Sequence, residues 1–131
     1  METAFCIYGK PEGKARPRVT IHGTYTPKKT KQYEQTVQVE YKRQSGVYFD
    51  NKPLQVEITA NFPIPKSTPK NQRIEMLAGH IRPTKKPDCD NIAKAILDAL
   101  NGQAYRDDAQ ISALYVRKWY DEKPRAKRRY A

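Results

Sequence analysis

Acidic residues are scarce in this sequence: 14 Asp and Glu stand against 25 Lys and Arg in 131 residues, a formal net charge of +11. That imbalance disfavours an acidic surface and favours a polyanionic partner, of which nucleic acid is the usual one. Cysteine is nearly absent. Cys6 and Cys89 lie far apart and form no CxxC pattern, which argues against a disulfide framework and for a reduced, cytoplasmic setting. No apolar run approaches the ~20 residues of a membrane span, and "METAFCIYGK" lacks the basic-then-apolar layout of a signal peptide, so no membrane partner is expected. The two histidines, His22 and His80, stand alone in loops and suggest neither a metal site nor a paired base. Apolar residues are few as well, at 37% of the chain, with a mean hydropathy of -0.92. The expectation is one domain with a lean core, supplemented by oligomerisation or by basic arms that order on binding.

The charge that is present is unevenly spread. Lys10, Lys14, Arg16, Arg18, Lys28 and Lys29 crowd the first stretch, and Lys66, Lys70, Arg73, Arg82, Lys85 and Lys86 the middle. From Arg117 to the end come seven bases against two acids. Between Asp88 and Asp108 the sign reverses: Asp88, Asp90, Asp98, Asp107 and Asp108 face only Lys94 and Arg106. An acidic island in a basic chain requires a reason.

Periodicity and turn residues give a coarse map. "AFCIY" (4–8) reads as a short strand, and the Gly- and Pro-studded "GKPEGKARPRVTIHG" as a long basic loop or loose hairpin. A first helix is predicted from a Thr26 cap and Pro27 to a stop at Gly46, with Tyr33, Val37 and Tyr41 as a packing stripe. "PLQVEITANFPIP" (53–65) alternates Leu54, Val56, Ile58, Ala60 and Phe62 on one face of a half-buried strand. A short basic helix follows, capped by Thr68, begun by Pro69 and ended by Gly79, and then a Pro-interrupted loop, "IRPTKKP". In "DNIAKAILDALNG" the cap is Asp90 or Asn91, Ile92, Ile96 and Leu100 line the buried face, and Gly102 is the stop. A turn at 106–108 leads to a strand through Tyr120, and "KPRAKRRYA" is a basic tail, either a last edge strand or disordered. The sum is an α+β fold: one small domain with a mixed β-sheet, helices packed on one face, and a homodimeric state that makes up for the core.

Two explanations compete for the acids. Asp88 and Asp90 at a helix start can cap it, worth roughly 0.5–2 kcal/mol, and Asp107-Asp108 can be a polar turn. One acid suffices as a cap, however, and a second adds repulsion. Alternatively, two or three of Asp88, Asp90, Asp107 and Asp108 assemble a site for a hard divalent cation, Mg2+ or else Mn2+, which prefers carboxylate oxygens and keeps waters that a phosphate can displace. Such an ion would let acids sit beside a polyanion. Lys94, four residues after Asp90, shares its helical face and could meet a phosphate oxygen, or simply pair with Asp90 or Asp98.

The stretch "KKPDCDNIAKAILDALNGQAYRDDAQI" (85–111), followed by "VRKWY" (116–120), resembles the RusA family of Holliday-junction resolvases of bacteria and their phages. The family pattern of Asp-x-Asp-Asn, a lysine four positions on, Asp-Ala-Leu and then Asp-Asp-x-Gln is present as Asp88, Asp90, Asn91, Lys94, Asp98-Ala99-Leu100, Asp107, Asp108 and Gln110. The resemblance implies a homodimeric, Mg2+-dependent endodeoxyribonuclease that cuts four-way DNA junctions by paired nicks, with no small-molecule cofactor. It assigns Asp88, Asp90 and Asp108 as catalytic metal ligands, Asp107 as a neighbouring acid, Lys94 as the catalytic lysine and Lys118 as a DNA contact. Cys89 stands where the family places an apolar residue and is read as a small hydrophobe rather than a ligand. Arg16, Arg18, Arg82, Lys85 and Lys86 are expected to neutralise phosphates of the junction. The rival readings are a non-catalytic nucleic-acid-binding module, whose acids are caps and turns, and a related nuclease acting on forks or flaps.

Overall fold

The computed structural model describes residues 1–14, 18–21, 23–25, 28–122 and 125–130; for 18–20, 24, 25 and 125–130 the backbone alone is described. In chain order the elements are β1 (Thr3–Tyr8), β2 (Arg18–Thr20), β3 (Gly23–Tyr25), α1 (Lys28–Gln44), β4 (Leu54–Pro63) and α2 (Lys70–Leu77). There follow α3 (Cys89–Leu100), a 3₁₀ turn (Asp108–Gln110), β5 (Ile111–Asp121) and β6 (Arg125–Tyr130).

Side-chain alternation determines which face of the sheet is covered. Leu54, Val56, Ile58, Ala60 and Phe62 of β4 are all buried, as are Phe5 and Ile7 of β1. Onto this face pack the Tyr33–Val37–Tyr41 stripe of α1 and, from α3, Ile92, Ile96 and Leu100, each 0% exposed. Each of those three side chains contributes roughly 1.5–3 kcal/mol by leaving water. The stripe on α1 is therefore core, as its spacing implies. At the end of α1, Gln44 reaches β1: its amide accepts from the Cys6 N–H at 2.9 Å and donates to the Cys6 carbonyl at 2.7 Å.

The four-stranded sheet has the order β1-β6-β4-β5 and is mixed, as expected: β4 and β5 run parallel, the other pairs antiparallel. The basic tail differs from expectation. Its residues 125–130 form β6, which is not a sheet edge, because it lies between β1 and β4 and pairs with both. Lys and Arg density marks an edge strand only statistically, while ladder pairing uses backbone groups that every residue carries. The hairpin β2–β3 forms a separate two-stranded sheet, consistent with the loose hairpin read from the sequence. Thr26 and Pro27 lie outside the described residues.

The segment between β4 and β5 carries the island. Its first helix begins one residue later than expected: Pro69 takes the cap position, and no side chain caps α2. No residue of α2 is buried. Just beyond it, Gly79 has φ +84°, and a Cβ there would fall 1.9 Å from the Trp119 ring, so only glycine lets the chain lie on the indole. Arg82 caps the same ring, its guanidinium 4.3 Å from the centroid. Trp119 pairs in register with Asn61, one step out of phase with Ala60 and Phe62, which puts it on the sheet face opposite the core. Thus α1 and α3 share one face, as expected, while α2 sits on the other. The chain then rounds the β5 edge, where the Lys118 ammonium donates to the Lys85 carbonyl. Among the described residues no helix is long and apolar enough to cross a membrane.

Gly79→Ala should lower the stability by more than about 1 kcal/mol, since it adds both a left-handed alanine and a clash. A urea titration followed by emission of Trp119, the one tryptophan, measures this; an unchanged midpoint would show that Gly79 does not abut the indole.

Candidate active site

Burial of Ile92, Ile96 and Leu100 turns the opposite side of α3 outward, and that side carries Asp90, Lys94 and Asp98 at intervals of four. Such residues stack along one face, about 6 Å apart along the axis. Asp88 precedes them at the N-cap, with extended φ/ψ of -71° and 158°. The cap thus sits at Asp88 rather than at Asp90 or Asn91. Its carbonyl accepts from the Ile92 N–H at 3.0 Å, yet its carboxylate makes no capping hydrogen bond. Asp88 and Asp90 are exposed, and neither pairs with a described side chain. Capping by hydrogen bonds therefore does not explain the two carboxylates, and among the described residues only the helix dipole favours them. Cys89 is exposed as well, and both cysteines are free thiols. A residue flanked by two outward acids in the first turn has no apolar face to join.

The second acid pair is placed by the end of α3. The Tyr105 hydroxyl donates to the Leu97 carbonyl at 2.7 Å, and the Asp108 N–H donates to Asn101 Oδ1 at 3.0 Å. Gln110 fixes the turn from behind. Its Oε1 accepts from the Arg106 N–H at 2.9 Å, and its Nε2 donates to the Asp50 carbonyl at 3.0 Å. Gln110 is thus a hub joining the acid turn to the strand-entry loop, a role that its place in the motif did not reveal. Partial burial, and then the neighbouring Asp107 and Asp98, push the Asp108 carboxyl above the usual carboxylate range, while Lys94 opposes the shift.

Lys94 Nζ lies 3.6 Å from Asp98 Oδ2 and remains 63% exposed. The same oxygen is 3.5 Å from Lys14 Nζ, which also contacts Glu34 Oε1 on α1. Lys14, Glu34 and Asp98 were not singled out as site residues, and no local signal connects them, because the contacts join three separate segments. The fold thus brings Lys94, Asp98, Asp107 and Asp108 together, with Asp90 one turn away along α3. Among the described residues no three acidic, His or Cys side chains stand in metal-binding geometry. The donor set is nonetheless of the kind a hard divalent cation takes: carboxylate oxygens, two of them unpaired and a third crowded by like charge.

Of the expected DNA contacts, Lys85 and Lys86 are exposed on the loop leading to Asp88. Arg82 is stacked on Trp119. Lys118 is a strut, bonded to the Lys85 carbonyl and 5.5 Å from the Phe62 ring centroid. Arg16 lies outside the described residues, and only the backbone of Arg18 is described, in β2.

Residues 8–127 match the sequence model of a family described as Endodeoxyribonuclease RusA. The chain is also 35% identical over 127 residues to the uncharacterised protein YqaN of Bacillus subtilis (strain 168), across 92% of this chain and 89% of that one. The motif of acids and lysine on α3 and its flanking turn falls wholly inside the matched span, and the protein belongs to the endodeoxyribonuclease RusA family.

Proposed function

We propose that the protein is a Mg2+-dependent endodeoxyribonuclease that cuts four-way DNA junctions by paired nicks as a homodimer. The observation that carries this reading is the pair of outward, uncapped carboxylates at the start of α3, on the same helix as Lys94. Two acids beside a polyanion, with no hydrogen-bonded capping role, are counter-productive unless a cation covers them. Asp88, Asp90 and Asp108, with Asp107 adjacent, would hold the ion, Mn2+ serving in place of Mg2+. When bound, it would supply positive charge at the scissile phosphate and lower the pKa of a coordinated water.

The remaining work falls to the chain's own groups. Lys94, an exposed ammonium on the acid-bearing face, would donate to a non-bridging phosphate oxygen as negative charge grows there. Lys85 and Lys86 would neutralise phosphates next to the site, and Arg16 and Arg18 would neutralise others. Arg82 and Lys118 would act chiefly by fixing the loop that presents Lys85 and Lys86. Two copies related by a twofold axis suit a junction whose strands are themselves related in pairs. The exposed Leu114 and Tyr115 on edge strand β5 are consistent with such pairing.

Cutting of a synthetic four-way junction should require a divalent ion, and Asp90→Asn should lower its rate at least about a hundredfold while binding is retained. Normal cutting by Asp90→Asn would refute the mechanism. Forks, flaps and plain duplex offered in competition should be cut more slowly than the junction. Replacing Lys85 and Lys86 together by Ala should reduce the slope of log affinity against log salt by roughly two, measured by titration at several salt concentrations.

A further inference from the structure

Lys94 presents a difficulty that its own helix does not resolve. Its ammonium ends a flexible four-carbon stem and is 63% exposed. A single surface pair at i,i+4 holds such a group only weakly. A group that must meet one phosphate oxygen needs firmer placement.

The firmer element is behind it. Asp98 Oδ2 receives two ammonium groups, Lys94 at 3.6 Å and Lys14 at 3.5 Å, and Lys14 in turn contacts Glu34. Unlike Lys94, these three side chains are largely covered, with 16% exposure for Lys14, 21% for Glu34 and 24% for Asp98. Covered ion pairs are screened little by salt. The backbone holds Lys14 as well: its N–H donates to the Asn91 carbonyl at 3.0 Å. At the preceding Gly13, a Cβ would come within 2.8 Å of Pro87 Cβ and 3.2 Å of Asn91 Cβ. The N-terminal loop therefore lies flush on the start of α3, touching the helix at Asn91 and again two turns on at Asp98.

We infer that Lys14 is a positioning residue: it pins Asp98, and through Asp98 it sets where the Lys94 ammonium stands beside Asp108. This rests on the role of Lys94 proposed above. With Lys14 neutral, Asp98 keeps Lys94 as its one remaining described cation and draws that ammonium onto itself. Asp98 also faces Asp108 with its charge less compensated. Lys14 carries out this task while covered, so it acts through Asp98 and need not touch DNA.

The test is steady-state junction cutting by Lys14→Met, Lys14→Arg and Asp98→Asn, with Lys14→Met measured again in a Lys94→Met background. Lys14→Met should lower kcat about tenfold or more with KM within twofold, and Lys14→Arg should recover most of the loss. In the Lys94→Met background, Lys14→Met should change residual cutting by less than twofold, because the two act in series. Asp98→Asn, a near-isosteric change, should lower kcat in the same way, and it decides the matter if Lys14→Met fails to fold. A raised KM with unchanged kcat, or an undiminished Lys14→Met effect without Lys94, would overturn the inference. Wild-type cutting by Lys94→Met would instead remove the role assigned to Lys94, a separate outcome visible before Lys14 is altered.

Discussion

The closing of α3 on the sheet is the packing event on which the rest depends. Ile92, Ile96 and Leu100 are wholly excluded from water against a core that includes β4 and the α1 stripe. The rotation of the helix is thereby fixed, and with it the direction in which Asp90, Lys94 and Asp98 point. Few alternatives compete, since a helix with one apolar stripe has one low-energy way to face a sheet. The parallel crossover from β4 to β5 then returns the chain past the end of α3. There Asn101 and Gln110 seize the Asp107-Asp108 turn. Hydrophobic burial and a few backbone-directed amides thus bring Lys94, Asp98, Asp107 and Asp108 together, with Asp90 one turn away along α3.

Electrostatics explains why that convergence is costly and how the chain limits the cost. The island is net negative inside a +11 protein, and the upward shift of the Asp108 carboxyl registers the strain of burial and neighbouring acids. Lys94 and Lys14 offset part of it through Asp98, and no described side chain offsets Asp88 or Asp90. Their only structural support among the described residues is the positive end of the α3 dipole, which one acid would satisfy. In the function proposed above, a cation arriving with the substrate's phosphates would offset Asp88 and Asp90, and Lys85 and Lys86 would supply the field that draws the nucleic acid in.

Much of this was legible in the sequence where period and burial coincide. The alternation of β4, the stripe on α1 and the amphipathic run of α3 each state directly which residues meet water. The Asp-x-Asp-Asn and Asp-Asp-x-Gln motifs located the acids and the lysine. What stayed hidden was set by contacts between distant segments. A strand as basic as β6 looks like an edge, because side-chain charge says nothing about backbone pairing on its two sides. Thr68 looks like a cap, yet Pro69 holds that position and no side chain bonds the exposed first turn of α2. The exposure of Cys89 follows only once the rotation of α3 is known. The Lys14–Glu34 contact spans 20 positions of sequence and leaves no periodic trace. Arg82 and Lys118, expected as DNA contacts, engage Trp119 and the Lys85 carbonyl.

Paramagnetic broadening by Mn2+ addresses the central claim most directly, because it reports proximity to the ion without requiring catalysis. In an amide-resolved NMR titration, the signals of Asp88, Asp90 and Asp108 should broaden together at substoichiometric Mn2+, with those of Asp50 and Glu75 left sharp. Broadening confined to one of the three, or spread over all exposed acids alike, would contradict a shared metal site on the outward face of α3.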